Sequence, residues 1–118
     1  MRWQDVTLVH KALGGVYVKG GKLISLLASS DSRYGNEVSR DKVRYAINPK
    51  KTEFVKAFES ALSEGHSFRV FYKETPGRWL DLGFFRVASE EKTDSAKNAF
   101  EMRYYILFST KRAKGIPK

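Results

Sequence analysis

A chain of 118 residues, of which 42% are hydrophobic and 14% aromatic, is long enough to bury one core without a disulfide or a metal, and this composition argues against intrinsic disorder. Its formal charge of +9 favours a polyanionic partner, and nucleic acid is preferred to a membrane because no apolar run approaches the roughly 18 residues of a bilayer span. The absence of cysteine excludes a thiolate nucleophile and a cysteine-based zinc site, and it fits a cytoplasmic protein.

The first thirty residues predict a helix followed by two strands. Val6, Val9 and Leu13 lie at helical spacing within residues 3–13, and the glycine pair that starts at Gly14 ends this helix. A second glycine pair predicts the turn between the two strands. The strands are predicted at residues 16–18 and 22–29, the second with Leu23 and Leu27 on the face opposite Ile24 and Leu26.

The middle of the chain predicts a loop and then a half-buried strand. Residues 30–40 are rich in Ser, Asp, Gly and Asn, a composition typical of loops. Residues 42–47 then alternate between charged and apolar side chains, with Val43, Tyr45 and Ile47 on the apolar face.

An amphipathic helix follows this strand. Asn48 is the expected N-cap and Pro49 the expected first helical residue, and Gly65 ends the helix. One apolar stripe runs along it, formed by Phe54, Val55, Phe58, Ala61 and Leu62.

The last part of the chain predicts three strands, at residues 67–74, 79–89 and 100–109, with a bend at Gly83 and a polar loop at 90–98. The elements add up to an α+β fold, a strongly bent mixed sheet or open β-barrel of five to six strands with two helices. We expect residues 1–110 to form a single nucleic-acid-binding domain and the basic residues 111–118 to form a mobile tail.

Residues 32–51 carry the strongest functional signal. They contain six basic residues, two tyrosines and only two carboxylates, and this mixture of cations with aromatic rings is typical of nucleic-acid-binding surfaces. The alternative is a solvated charged face, where lysine and arginine are most often found. The residues predicted to contact phosphate are Arg33, Arg40, Lys42, Arg44, Lys50 and Lys51.

Signals for catalysis are weaker. The two histidines, His10 and His66, have no partner at metal-ligand spacing, so the sequence predicts no metal and no cofactor. Asp81 followed by Glu90 and Lys92 has the form of a magnesium-nuclease site. The alternative, a solvated loop at Glu90 to Lys92, is favoured because the pattern is short and its spacing loose.

Taken in order, several segments resemble an SRA/YDG-type reader of modified DNA, the PUA-related domain that often precedes a nuclease in modification-dependent restriction systems. The resemblance runs from His10 to about Val87. One segment departs from it, because residues 46–51 carry two lysines where the family has a glycine-rich acidic loop. The segments are HKALGG at 10–15, KLISLLAS at 22–29, Tyr34-Gly35, DKVRY at 41–45, TEFVKAFESAL at 52–62, FRVFY at 68–72 and WLDLGFFRV at 79–87.

The resemblance implies that a modified base is flipped out of the duplex into an aromatic pocket. Tyr34 and Tyr45 would stack on the base, Asn36 and Asp41 would contact its Watson–Crick edge, and Trp79 would form a wall. For Asp41 the alternative is an ion pair with a neighbouring arginine, Arg40 or Arg44.

The sequence therefore favours a non-catalytic DNA-binding module that recognises a modified base. We expect double-stranded DNA as its partner, no membrane association, and a nuclease or helicase domain elsewhere, so that this domain supplies the specificity of a modification-dependent restriction endonuclease. The alternatives are a PUA-like RNA-binding domain, a small magnesium-dependent nuclease, and an adaptor whose basic face meets an acidic protein.

Overall fold

The computed structural model describes residues 1–29, 36–91 and 102–110. Within them lie two helices, α1 (Trp3–Val6) and α2 (Thr52–Glu64). The strands are β1 (Val16–Lys19), β2 (Lys22–Ala28), β3 (Glu37–Val38), β4 (Lys42–Ile47), β5 (Phe68–Thr75), β6 (Arg78–Glu91) and β7 (Arg103–Ser109). None of the helices in these ranges is both long enough and apolar enough to span a bilayer.

All seven strands belong to one mixed sheet with the order β1-β2-β5-β6-β7-β4-β3. β2 and β5 are parallel, and the other pairs are antiparallel. The sheet bends around α2, whose Phe58 stacks on both Tyr45 of β4 and Tyr105 of β7, at centroid distances of 6.0 and 4.8 Å. The predicted α+β architecture, a bent mixed sheet with two helices, is confirmed.

The described residues contain seven strands, one more than the five to six that the sequence predicts. The additional strand, β3, lies inside the predicted loop and consists only of Glu37 and Val38, which pair with Arg44 and Val43. Two residues cannot display an alternating pattern, so this strand has no signature in the sequence. By contrast, β4 has the predicted bounds, and its three expected core residues are buried.

The first helix is much shorter than predicted. α1 ends at Val6, and Leu13 is fully exposed instead of packing in the core. His10 takes the buried position, with Nδ1 2.7 Å from Ser25 Oγ and Nε2 2.7 Å from the Gly14 carbonyl. The hydrogen bond to Ser25 fixes His10 against β2, and the one to Gly14 lies within the segment 10–14 itself.

A β-bulge changes which side chains of β2 point into the core. Tyr17 pairs with Ser25 and Val18 with Leu23, so Ile24 is an extra residue without a partner in β1. As a result Leu23 and Leu26 are buried in the same core cluster, although strict alternation predicts opposite faces.

The second helix begins later than predicted. Its N-cap is Lys51 and not Asn48, whose side-chain oxygen accepts a hydrogen bond of 2.9 Å from the Lys50 N–H in the turn before the helix. The predicted end is confirmed, since Gly65 adopts a left-handed conformation with φ 71°. The buried face is centred on Ala57, Phe58 and Ala61, while the predicted Leu62 is exposed.

The strand β6 extends to Glu91, so the first two residues of the predicted polar loop are in fact strand. The expected bend at Gly83 is confirmed: φ is 88° there, and the pairing with β5 shifts between Val70 and Phe71, leaving Leu82 unpaired. The rest of that loop, the start of the last predicted strand and the tail at 111–118 lie outside the described residues.

Candidate functional site

A cavity of about 410 Å³ opens where the end of β2, the end of β4 and the start of α2 meet. Most of its wall is apolar, and lysine and asparagine side chains add polar groups. Its lining residues are Gly15, Val16, Leu27, Ala28, Ser29, Asn36, Tyr45, Ala46, Ile47, Asn48, Lys51, Phe54, Lys73, Trp79 and Met102. Three of the five predicted base-pocket residues are therefore brought together: Asn36, Tyr45 and Trp79.

Tyr45 is the most constrained of these residues. Its side chain is 5% exposed, and its hydroxyl donates to the Leu27 carbonyl at 2.8 Å and lies 3.3 Å from the Gly15 carbonyl. Burial raises the pKa of this phenol, so the hydroxyl stays protonated and remains a donor. The ring also packs on Phe58, and Tyr45 forms part of the cavity wall.

Gly15 is required by this close approach. A Cβ at Gly15 would lie 2.9 Å from the Tyr45 hydroxyl oxygen, closer than side-chain packing allows. The sequence predicted the glycine pair only as a helix end, whereas the structure places Gly15 in the cavity wall.

Trp79 and Asn36 line other parts of the wall. Trp79 is 8% exposed, and the Trp3 ring covers it with a centroid distance of 5.4 Å. The side-chain oxygen of Asn36 accepts a hydrogen bond of 2.8 Å from the backbone N–H of Ala46. Both side chains are therefore held in place by contacts within the protein.

Two lysines complete the polar part of the cavity. Lys51 belongs to the predicted phosphate-binding set, whereas Lys73 was missed. Lys73 lies directly across from Trp79 in the β5–β6 pairing, 22 residues from Lys51 along the chain. Its contribution depends on the curvature of the sheet, for which no local sequence signal exists.

Asp41 does not line the cavity. It is exposed in the turn between β3 and β4, where its carbonyl accepts a hydrogen bond of 2.9 Å from the Ser109 N–H. Of the two arginines considered as ion-pair partners of Asp41, which are Arg40 and Arg44, the second pairs with Glu91. Two other predicted site residues, Tyr34 and Arg33, lie outside the described residues.

Arg44 is held on the outer face of the sheet. Its Nε donates to Glu91 at 2.6 Å, and its guanidinium lies 3.7 Å from the centroid of the Tyr104 ring. A second cavity, of about 440 Å³, lies beside it and is also lined by Lys42. Arg40 and Lys50 are exposed near the ends of β4.

The residues of the nuclease-like pattern are not assembled. Asp81 makes a bidentate ion pair with Arg69, which lowers the pKa of this carboxyl group against the opposing effect of burial. Glu90 lies at the other end of the same strand, 3.8 Å from Arg103. Nine residues of extended chain at ~3.3 Å each place the two carboxylates far apart. Lys92 lies outside the described residues.

The two histidines have separate surroundings. The Gly14 carbonyl can only accept, so Nε2 of His10 carries the proton and Nδ1 accepts from the Ser25 hydroxyl. Burial lowers the pKa of His10, with the hydrogen bond to Gly14 acting in the opposite direction. His66 Nδ1 lies 3.6 Å from Glu64. Across residues 1–29, 36–91 and 102–110 no three His, Cys, Asp or Glu residues cluster as metal ligands would.

Comparison with solved structures identifies the fold. The SRA domain of SUVH5 in complex with hemimethylated CG DNA is similar over 92% of this chain and 82% of its own, with a TM-score of 0.67 and 15% identity. The modification-dependent restriction endonuclease TagI gives a TM-score of 0.69 at 12% identity over 92% of this chain. KRYPTONITE in complex with mCHG DNA gives 0.63 at 14% identity over 84%. No protein-family model and no curated protein sequence matches the chain.

These similarities show that the chain has the SRA fold, as the resemblance of its segments predicted. The chain spans 47% of the TagI chain and 28% of the KRYPTONITE chain, so each of those proteins contains further parts.

Proposed function

We propose that this chain is a non-catalytic module that binds double-stranded DNA and holds a modified base, flipped out of the duplex, in the cavity beside Tyr45. The observation that supports this proposal is the cavity itself. It brings Asn36, Tyr45 and Trp79 together next to two lysines, in a fold shared with domains crystallised on methylated DNA.

Base extrusion needs a driving force, since unstacking and unpairing a base costs a few kcal/mol. Contacts between cationic side chains and the phosphate backbone supply it, together with the release of counterions. The exposed cationic side chains of the basic segment are the candidates for these contacts. Lys51 lines the cavity and Lys50 precedes it in the chain, whereas Arg40 and Lys42 lie at the other end of β4 and would contact phosphates further along the duplex. Arg33 of the same segment is proposed as one more contact.

The pocket side chains have two proposed roles, stacking on the base and hydrogen bonding to its edge. Trp79 and Tyr45 offer aromatic surface to the base, and Asn36 offers amide N–H groups to its polar edge. Tyr34, two residues before Asn36 in the sequence, is proposed as a further stacking residue. Asp41 is left out, because its position in the β3–β4 turn is outside the cavity wall.

Catalysis is assigned to another domain or protein. A nuclease or helicase joined to this module would act where the modified base is found, as the specificity domain of a modification-dependent restriction endonuclease does. DNA cleavage of this kind would take place in the cytoplasm.

An affinity panel tests the proposal. Binding of duplexes of one sequence, with and without a modified cytosine, is measured by fluorescence anisotropy at about 50 and 200 mM salt, where electrostatic binding differs most clearly. We expect tighter binding of at least one modified duplex at both salt concentrations. Equal affinity for all duplexes would remove the base-recognition role, and a preference for structured RNA in competition would favour the RNA-binding alternative.

A further inference from the structure

The hydrogen-bonding groups of the cavity wall are unusually one-sided. The side-chain oxygens of Asn36 and Asn48 already accept hydrogen bonds from the backbone N–H groups of Ala46 and Lys50, at 2.8 and 2.9 Å. Because a backbone N–H must be met by an oxygen, the orientation of both amides follows. Each asparagine therefore has its two amide N–H donors left for a ligand.

The charged side chains among the described lining residues are also of one kind, since all of them are positive. Lys51 and Lys73 both line the cavity, and neither forms an ion pair with a residue of the described ranges. Among the described lining residues there is no aspartate and no glutamate. The side chains that remain able to form hydrogen bonds in this wall are thus mainly donors, and two of them carry positive charge.

A base with a neutral, apolar modification does not match such a wall. A methyl group would pack on the apolar part, but the two amides and the two ammonium groups would face no acceptor beyond those of the base itself. Asn48, Lys51 and Lys73 are exposed, so water satisfies their donors in the free protein, and an anionic substituent would replace that water with charge-assisted hydrogen bonds. The wall therefore favours a ligand with additional acceptors.

Resting on the function proposed above, we infer that the base carries an anionic, acceptor-rich substituent, with a carboxylate as the representative group. The volume allows it: about 410 Å³ lies within the roughly 300–1,000 Å³ range of pockets that enclose drug-sized ligands, so there is room beside the ring for more than a methyl group.

Lys73 is the residue that contacts this substituent. Its partner in the β5–β6 pairing is Trp79, so it lies beside the aromatic wall on which the base would stack. Lys51 lies at the N-cap of α2 within the basic segment, and it is assigned to the phosphate backbone. Lys73 is thus assigned to an anionic substituent on the base, and Lys51 to a flanking phosphate. Substitutions of these two lysines therefore have different expected effects on binding.

The experiment compares four duplexes of one sequence, whose central cytosine is unmodified, 5-methylated, 5-hydroxymethylated or 5-carboxylated. We expect the carboxylated duplex to bind about tenfold more tightly than the methylated one at equal salt, as for a hydrogen bond to a charged group. The variant Lys73→Gln should lose this preference, and Lys73→Arg should keep it. Lys51→Gln should weaken binding of all four duplexes by the same factor.

Each outcome supports or overturns the inference. A methylated duplex that binds as tightly as the carboxylated one, with both above the unmodified duplex, overturns it and leaves the proposed function intact. A uniform loss of affinity in Lys73→Gln, with the preference unchanged, assigns Lys73 to phosphate and also overturns it. If the wild type binds all four duplexes equally, the proposed function itself fails. Circular dichroism of Lys73→Arg and Lys73→Gln shows that the two proteins compared are both folded.

Discussion

The hydroxyl of Tyr45 donates a hydrogen bond of 2.8 Å to the carbonyl of Leu27, which joins β4 to β2 although three strands separate them in the sheet order. The sheet is curved so far that its two halves meet at this point without continuous strand pairing. The cavity lies along this seam, lined by both residues. The contact between Tyr45 and Leu27 thus links the curvature of the fold to the shape of the site.

Removing the hydroxyl tests this link. Tyr45→Phe deletes the donor to the Leu27 carbonyl and should lower the free energy of unfolding by about 1 kcal/mol, the typical net contribution of one hydrogen bond. The measurement is the urea midpoint, with Tyr17→Phe in β1 as the control. An unchanged midpoint in Tyr45→Phe would mean that the hydroxyl does not hold the seam together.

The close approach between Gly15 and the Tyr45 hydroxyl can be tested with Gly14 as a matched control. Gly15→Ala introduces a Cβ 2.9 Å from the Tyr45 hydroxyl oxygen, whereas a Cβ at Gly14 would have no atom within 4 Å. We expect Gly15→Ala to destabilise the protein by about 1–3 kcal/mol, as for overpacked sites, and Gly14→Ala to have little effect. Equal thermal midpoints for the two variants would contradict the described seam.

Stability should fall on acidification through the range of histidine titration. The pKa of His10 in the folded protein is lowered below its ordinary value of 6.5, so the folded state binds a proton less readily than the unfolded state. The free energy of unfolding is therefore highest above pH 6.5 and decreases as the pH falls below it.

Urea unfolding between about pH 8 and pH 5 measures this slope. His10→Gln removes the titrating group and should flatten the slope. A slope that persists in His10→Gln would assign the pH dependence to another group.

The salt dependence of DNA binding should identify Lys51 as a phosphate contact. Removing one phosphate contact reduces the slope of log K against log salt concentration by about 0.9. We expect this reduction in Lys51→Gln. The control is Lys22→Gln, because six residues of β2 at ~3.3 Å each separate Lys22 from the lining residue Ala28. Equal slopes in the wild type and Lys51→Gln would remove Lys51 from the interface.

Asp81 provides a test of the nuclease alternative. Its carboxylate is engaged by Arg69 and is separated from Glu90 by most of β6. We therefore expect the isolated chain to leave DNA uncut in the presence of magnesium. Cleavage that disappears in Asp81→Ala would establish the nuclease alternative instead.

Local patterns in the sequence predicted those parts of the fold that depend on local interactions. The alternation at residues 42–47 gave β4 with its correct bounds, and Gly65 correctly marked the end of α2. The bulge at Ile24 was missed, because it depends on pairing with β1 and has no separate sequence signature.

The site was only partly predictable, since its residues meet through long-range contacts. Asn36 and Tyr45 share one basic segment, which drew attention to both. Lys73 and Gly15 reach the same cavity only because the sheet is curved. The pairing of Arg44 with Glu91, 47 residues away, likewise follows from the register of β4, β7 and β6, and local charge patterning could not reveal it.

Extrusion of the base into the cavity is tested most directly by the fluorescence of 2-aminopurine placed next to the modified base in a duplex. Fluorescence of this base analogue is quenched by stacking and increases when its neighbour leaves the helix. We expect an increase on binding of the modified duplex, and a smaller one with an unmodified duplex of the same sequence. Fluorescence that stays unchanged when the modified duplex is fully bound would contradict the account.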